Sequence, residues 1–446
     1  MGQLFCTDGV IWVANAYITP ELALGIGRAL VRTLREEGAP RPRVIIGRDP
    51  RASGEMLESA VAAGVCSAGG DAVMLDVLPT PGVAFLVATL GANAGVMISA
   101  SHNPVADNGI KLIGPTGHKL TDEEEERIEE LLQRFDSDRP VGINIGRKTD
   151  VPGAVEGYVA HLIAAGDGVD LRGMHVALDC ANGAASMVGP RVLRRLGAEV
   201  TAIAAIPDGT NINDGVGSNH PDNVAQAVVQ VGADLGIGFD GDADRIVACT
   251  HDGQIVDGDE ILAILAAHTK DTRGLNGVVG TVMSNLGFLQ AMDRLGIDVI
   301  KTKVGDRYVL AAMQESGYQL GGEQSGHLIS AAHATTGDAV LSAVLLLSAI
   351  AAQGKSLEQC ASIMTKLPQV MINVSGVDKS ALDGANKVWD AVAATEQELG
   401  DNGRVLLRPS GTEPIVRVMV EATTMDAAQS HAERLVDAVQ AALPSA

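Results

Sequence analysis

The run Asp240-Gly241-Asp242-Ala243-Asp244-Arg245 sets three carboxylates at alternate positions with small residues between them. Carboxylates this close repel one another unless a cation cancels their charge. A hard divalent ion such as Mg²⁺ accepts such oxygens together with phosphate or water. An EF-hand loop does not fit, because its sixth position would be Arg245 in place of glycine and its twelfth His251 in place of glutamate. Three solvated turn aspartates are the plainer alternative, and the apolar run Leu235–Phe239 just before them argues against it. In the same stretch Gly236-x-Gly238-x-x-Gly241 matches the dinucleotide fingerprint. That reading fails on charge, since carboxylates would stand where a pyrophosphate belongs and no apolar helix opens there.

A second run, Ser99-Ala100-Ser101-His102-Asn103-Pro104, follows the apolar segment Gly95-Val96-Met97-Ile98. A serine leaving a buried strand and locked by Asn-Pro is well placed as a nucleophile. The chain has no G-x-S-x-G elbow, so a lipase-like triad is disfavoured. Alone, Ser-His-Asn-Pro reads more readily as a plain turn. Beside a triple-aspartate metal site it points to phosphoryl transfer, with the serine itself carrying the phosphoryl group. Lys111, in Asp107-Asn108-Gly109-Ile110-Lys111, offers a cation or a proton; by itself it would be an ordinary surface lysine.

Two further runs are polar. Gly321-Gly322-Glu323-Gln324-Ser325-Gly326-His327 reads as a hydrogen-bonding loop after Leu320 and not as a strand. Glutamate and serine suit sugar hydroxyls, and a histidine can carry protons near neutral pH; a structural turn is the alternative. Arg408-Pro409-Ser410-Gly411-Thr412-Glu413-Pro414, with Arg417 beyond, combines guanidinium groups, hydroxyls and glycine amides. Such a set can cradle a phosphate, although a hairpin loop with incidental arginines would look similar.

These runs need elements to hold them. Val44–Gly47, His175–Asp179 and Val278–Val282 each begin the same pattern: apolar strand, polar turn, helix, glycine at the helix end, next strand. Apolar runs of this kind suit strands buried on both faces, and glycine ends a helix by taking positive φ. Three β-α-β units predict three α/β domains built alike. The C-terminal part differs, with Arg404–Arg408 and Ile415–Glu421 alternating like antiparallel strands and amphipathic Met425–Leu443 following as a helix. The division is 1–150 with the serine loop, 151–255 with the aspartate loop, 256–367 with the glutamate loop, and 368–446 as a smaller α+β domain with the arginine loop. Thr121 and Glu124 form a capping box for a charged helix with Ile128, Leu131 and Leu132 on its apolar face. Ala339–Ala352 reads as a buried helix, too short and too serine-interrupted to span a bilayer. Near residues 136–151 the periodicity fades, as at a domain boundary.

Bulk properties narrow the partners. The formal charge is −22, so a nucleic acid or an anionic membrane would be repelled at long range. Only 2% of residues are aromatic, leaving Ala, Val, Leu and Ile to fill the core. Cys6, Cys66, Cys180, Cys249 and Cys360 are scattered with no C-x-x-C pair. That suits reduced, mostly buried thiols and neither a disulfide framework nor a zinc site. The N-terminus has no basic region leading into an apolar one, so no signal peptide is expected and a cytoplasmic location is.

In this order and on this four-part pattern, the runs resemble the α-D-phosphohexomutase superfamily over essentially the whole chain. Thr7-Asp8-Gly9, Ala100–Pro104, Asp240–Arg245, Gly322–His327 and Arg408–Pro414 are similar to its N-terminal, phosphoserine, metal, sugar and phosphate loops. Gln324 and Thr302–Val309 resemble the branch acting on glucosamine phosphates; mannose and glucose phosphate mutases tend to have methionine where Gln324 stands. The resemblance implies three similar α/β domains with mixed sheets and a smaller C-terminal domain around a central cleft. It implies conversion of glucosamine 6-phosphate to glucosamine 1-phosphate, for UDP-N-acetylglucosamine synthesis, through phosphorylated Ser101 and a 1,6-bisphosphate intermediate. Mg²⁺ would sit on Ser101, Asp240, Asp242 and Asp244, and a hexose 1,6-bisphosphate would act as activator. Lys111, Arg245 and His327 would serve the chemistry, Glu323 and Ser325 the sugar, and Arg408, Ser410, Gly411, Thr412 and Arg417 the second phosphate. A mannose or glucose phosphate mutase is the neighbouring alternative. The family usually has arginine and glycine where this chain has Ile11 and Trp12, which raises a second alternative, a catalytically silent sugar-phosphate-binding paralogue.

Overall fold

The computed structural model describes residues 4–5, 9–133, 139–410 and 414–444. The first sheet holds β1 (Val10–Val13), β2 (Arg43–Arg48), β3 (Asp71–Val77), β4 (Ala94–Ile98), β5 (Asp107–Ile113) and β6 (Lys148–Asp150), in the order β1-β5-β4-β2-β3-β6. The second holds β7 (His175–Asp179), β8 (Glu199–Ile203), β9 (Leu235–Phe239), β10 (Ile246–Thr250) and β11 (Ile255–Val256), ordered β11-β10-β9-β7-β8. The third holds β12 (Gly277–Thr281), β13 (Asp298–Thr302), β14 (Leu320–Gly322) and β15 (Leu328–Ser330), ordered β13-β12-β14-β15. The fourth is antiparallel: β16 (Gln369–Ser375), β18 (Ile415–Glu421) and β17 (Arg404–Pro409) in that spatial order.

The first three sheets share one plan. In each, a central strand (β2, β7, β12) pairs in parallel with the strand that follows it and with the next one, and that third strand turns back as an antiparallel hairpin. The hairpin turns β4–β5, β9–β10 and β14–β15 are the serine, aspartate and glutamate loops. Equivalent backbone positions therefore present three different chemistries. Strands β4, β9 and β12 are buried along their whole length, as the unbroken apolar runs require. The expectation for the glutamate loop changes in one respect. Gly321 and Gly322 belong to β14, where Gly321 pairs with Ile329 and Gly322 with Leu328, so the loop is confined to Glu323–His327. The fading periodicity near residue 150 also hides a strand, because β6 is exposed at all three positions while pairing in parallel with β3.

Helices cover both faces of the first three sheets, whose two sides pack into different cores. Pro20–Glu36 begins with Thr19 accepting from the Leu22 N–H and proline in its first turn. The charged helix Asp122–Leu132 has the expected Thr121–Glu124 capping box and buries Ile128 and Leu131. Ala339–Gln353 is apolar all round, with Leu346 and Leu347 fully enclosed. Its neighbours from Thr80–Thr89, Ala154–Ala165 and Gly258–Arg273 join it in one continuous core running through the first three layered units. A smaller core lies under β16–β18, between helices Asn386–Leu399 and Met425–Ala442. Cys180, Cys249 and Cys360 are buried and Cys66 half-buried, all as free thiols; Cys6 lies outside the described residues. Among the described residues no helix is long and apolar enough to cross a membrane.

Candidate active site

Ser101 stands at the turn after β4 with φ 49°, a left-handed conformation that costs a side-chain-bearing residue about 1–2 kcal/mol. Its hydroxyl donates to Asp240 Oδ2 at 2.7 Å and lies 3.3 Å from His102 Nδ1. Ala243, at the tip of the aspartate loop, is also left-handed, with φ 57°. The two loops touch at Gly241, where a Cβ would meet the Ser101 carbonyl oxygen at 2.6 Å. Glycine is required there by close approach.

Carboxylate oxygens of Asp240, Asp242 and Asp244 all lie within 4.8 Å of one another. Asp240 Oδ1 accepts from the backbone N–H groups of Asp244 and Arg245, each at 3.1 Å. Asp242 Oδ2 accepts from Thr80 Oγ1 at 2.6 Å and from Lys111 Nζ at 2.7 Å. Asp242 Oδ1 and Asp244 Oδ1 are buried with no hydrogen-bond partner. Buried carboxylate oxygens left this way are what a divalent cation with oxygen ligands would satisfy, so the residues present fit Mg²⁺. Burial, then the charges of Asp244 and Asp242, push Asp240 well above the ordinary carboxylate range, against the pull of Arg245 and the Ser101 hydroxyl. Burial pushes Asp244 the same way, but His327, Lys111 and Arg245 outweigh it and hold that carboxyl well below its usual value.

The glutamate loop closes on this pair. Arg245 and His327 form an antiparallel bridge, and the Ile246 N–H donates to the Gly326 carbonyl at 3.1 Å. His327 Nδ1 is 3.6 Å from Asp244 Oδ2 and Nε2 is 3.8 Å from Asp306 Oδ2. Gly337 N–H donates to Nε2 at 3.1 Å, which places the proton of the neutral ring on Nδ1, toward Asp244. Burial lowers the imidazole pKa, but Asp244, Asp306 and Glu323 more than offset it and leave His327 above its ordinary value. Glu323 Oε1 accepts from the Gly305 N–H at 2.9 Å. Ser325 is exposed at the tip, and Gln324 Nε2 donates to Asp257 Oδ2 at 3.3 Å.

On the fourth unit Arg408 and Arg417 face each other in register on β17 and β18. Burial and the neighbouring Arg417 lower the pKa of Arg408. Two guanidinium groups held side by side favour an anion between or above them. Ser410 is buried, and its carbonyl accepts from Lys379 Nζ at 2.7 Å. Gly411 and Thr412 lie outside the described residues, as do Thr7 and Asp8. The structure thus joins Ser101, Lys111, the three aspartates, Arg245 and His327 through direct contacts. It gathers Arg408, Ser410 and Arg417 separately on the fourth unit.

Several participants escaped the sequence reading. Asp49 and Arg51, both fully buried and paired at 2.8 Å, stand beneath the serine loop. Asn213 reaches the same loop from the second unit. Lys119 pairs with Asp306 at 2.6 Å, and Arg307 pairs with Asp122 and approaches Glu125, so the first and third units are latched directly. The run Arg48-Asp49-Pro50-Arg51, charged residues directly after the buried strand Val44–Ile46, was the available signal. Ile11 and Trp12 sit in β1 opposite Gly109 and Asn108. Trp12 is regular strand with its ring outward, 5.3 Å from that of Tyr17, so no glycine is needed at its position.

Four family models cover the chain in order: phosphoglucomutase/phosphomannomutase alpha/beta/alpha domain I at residues 2–139, domain II at 156–253, domain III at 257–367 and the C-terminal domain at 371–438. A phosphoglucosamine mutase of Nocardioides sp. is 55% identical over 445 residues, covering 99% of both chains. One from Streptomyces coelicolor is 53% identical over 452 residues, covering 99% of this chain and 100% of its own. Among solved structures, a phosphoglucomutase/phosphomannomutase family protein from Burkholderia thailandensis superposes with TM-score 0.83 at 23% identity, over 100% of this chain and 99% of that one. Aspergillus fumigatus N-acetylphosphoglucosamine mutase, in complex with GlcNAc-6P and magnesium, superposes with TM-score 0.68 at 18% identity, over 98% and 95%. With all four domains in order and more than half its residues shared with such relatives from end to end, the chain belongs to the phosphoglucosamine mutase family of the phosphoglucomutase/phosphomannomutase superfamily.

Proposed function

We propose that this protein interconverts glucosamine 6-phosphate and glucosamine 1-phosphate through a phosphoserine at Ser101. The observation that carries the reading is the Ser101 hydroxyl 2.7 Å from Asp240 Oδ2, inside a buried aspartate trio with two unpartnered oxygens.

The reaction is two opposite phosphoryl transfers. In the first, the sugar 1-hydroxyl attacks the phosphorus on Ser101; the P–Oγ bond breaks, the new P–O1 bond forms, and the sugar proton ends on Oγ. The resulting 1,6-bisphosphate reorients. In the second, Oγ attacks the 6-phosphoryl group, its proton passes to O6, and glucosamine 1-phosphate leaves with Ser101 phosphorylated again. Mg²⁺ held by Asp240, Asp242, Asp244 and a Ser101 phosphate oxygen would supply neutralisation of the charge on the transferring group.

The chain's own residues do the rest. Lys111 and Arg245 add positive charge at the trio, and Lys111 and His327 are the candidate acid–base groups for the proton that moves between sugar and serine. Glu323 and Ser325 take sugar hydroxyls in both orientations. Arg408, Ser410, Gly411, Thr412 and Arg417 hold whichever phosphate is not reacting. A trace of hexose 1,6-bisphosphate would prime Ser101. Incubating the protein with glucosamine 6-phosphate, Mg²⁺ and that primer is expected to yield glucosamine 1-phosphate. Absence of product from protein verified to carry phosphate on Ser101 would overturn the reading and favour a silent sugar-phosphate binder. A higher kcat/KM on mannose or glucose phosphates would reassign the substrate.

A further inference from the structure

We infer that Arg51 is the positioning residue of Ser101, acting through a buried clamp that also includes Asp49, Ser99 and Asn213. The inference rests on Ser101 being the phosphoryl acceptor.

Arg51 is completely buried, and all five of its N–H donors are engaged around one loop. Nε donates to Asp49 Oδ2 at 2.8 Å. Nη2 donates to the carbonyls of Ser101 and Asn103 at 2.9 and 2.8 Å. Nη1 donates to those of Pro104 and Asp107, the latter at 3.0 Å. Four loop carbonyls thus converge on a single guanidinium, whose planar fork no other side chain reproduces. Asp49 relays the hold to the other end of the serine. Its Oδ2 accepts from Ser99 Oγ at 2.6 Å, and Ser99 Oγ in turn accepts from the Ser101 N–H at 2.9 Å. Asn213 Nδ2, from the second unit, donates to the same Ser101 carbonyl at 2.8 Å.

The backbone of Ser101 is therefore fixed on both sides, at its N–H by Ser99 and at its carbonyl by Arg51 and Asn213. Only the side chain is left to move. A plain turn of this length needs one or two backbone bonds and no buried ion pair. A phosphoryl acceptor that must serve two different sugar oxygens from one place needs the target held still while the substrate turns. Misplacing reacting atoms by about 1 Å costs on the order of 100-fold in rate. The second-unit donor also means that the serine is fully fixed only when the first two units are docked.

The test measures phosphorylation of Ser101 by glucose 1,6-bisphosphate, followed by peptide mass, together with kcat and KM. The proteins compared are the unaltered chain and Ser99→Ala, Asn213→Ala, Arg51→Lys and Arg51→Met. Positioning predicts that Arg51→Lys lowers both the phosphorylation rate and kcat by about 100-fold. Ser99→Ala and Asn213→Ala, which each remove one hydrogen-bonding group and keep the core, should lower them by roughly tenfold. KM should stay within about twofold, because the groups that grip the sugar and its other phosphate lie elsewhere; Arg51→Met should be slower than Arg51→Lys. If Arg51 variants do not fold, Ser99→Ala and Asn213→Ala decide. Folded variants with lowered melting temperature but unchanged phosphorylation rate and kcat would overturn the inference and leave Arg51 a purely structural residue. Failure of the unaltered chain to accept phosphate on Ser101 would instead remove the acceptor reading, and this inference with it.

Discussion

Ser101 Oγ and Asp240 Oδ2 belong to hairpin turns of different sheets and meet at 2.7 Å. A hydroxyl can donate to a carboxylate, but a fully ionised phosphoserine oxygen cannot. Once Ser101 is phosphorylated, the same geometry sets its phosphate against the negative charge of the aspartate trio, which a cation between them would offset. The acceptor serine and the metal site are thus one device.

That coupling gives a pH dependence with a definite sign. Asp240 is held well above the ordinary carboxylate range by burial and by its two neighbours. A raised folded-state pKa stabilises the protein below the unfolded value of about 4 and loses that contribution as pH rises through the folded value. Metal-free protein should therefore lose stability as Asp240 ionises, and Mg²⁺ should restore it. Thermal melts with Mg²⁺ and with a chelator, across a pH series, are expected to show a metal-induced gain that grows with pH. A gain independent of pH would contradict the assignment.

Gly241 is the point where the two loops touch, with space for no Cβ beside the Ser101 carbonyl. Gly241→Ala should push the loops apart, lowering kcat on the order of 100-fold while costing about 1–3 kcal/mol of stability. Steady-state kinetics and denaturant titration on the same preparation check both.

Arg408 and Arg417, facing across β17 and β18, should act on binding more than on chemistry. Replacing either by leucine is expected to raise KM by roughly tenfold to 100-fold, the worth of a charge-assisted contact of about 1.5–3 kcal/mol, with a smaller change in kcat. A drop in kcat at constant KM would count against the phosphate-grip role.

The fourth unit is anchored by an ion pair whose carboxylate is fully buried and whose guanidinium is partly exposed. Glu421 is fully enclosed, pairs with Arg404 at 2.8 Å, and accepts from the Leu286 N–H at 2.8 Å, while Arg404 also donates to the Val282 and Ser284 carbonyls. Removing one partner of such a pair strands the other charge, so Glu421→Ala should cost about 3–5 kcal/mol. It should also speed proteolysis between the third and fourth units, near Pro368.

Much of this was legible in the amino-acid order. Unbroken apolar runs marked the central strands, and the aspartate spacing marked the metal loop, because both signals are local. The clamp was not legible. Arg51 and Ser101 are 50 positions apart and Asn213 and Ser101 are 112 apart, so only the topology shows that their polar groups meet. β6 was missed because an exposed edge strand has no apolar alternation to read. β14 was missed because two glycines carry no side-chain pattern at all. The Lys119–Asp306 latch likewise joins two residues that each look solvated in isolation.

Transfer of a labelled phosphoryl group from Ser101 to the sugar tests the central claim most directly. Protein labelled by a radioactive hexose 1,6-bisphosphate, freed of primer and mixed with limiting glucosamine 6-phosphate and Mg²⁺, is predicted to lose label from the Ser101 peptide. The label should appear in the bisphosphate and in sugar monophosphate. Label that stays on the protein, or that maps to a residue other than Ser101, would contradict the account.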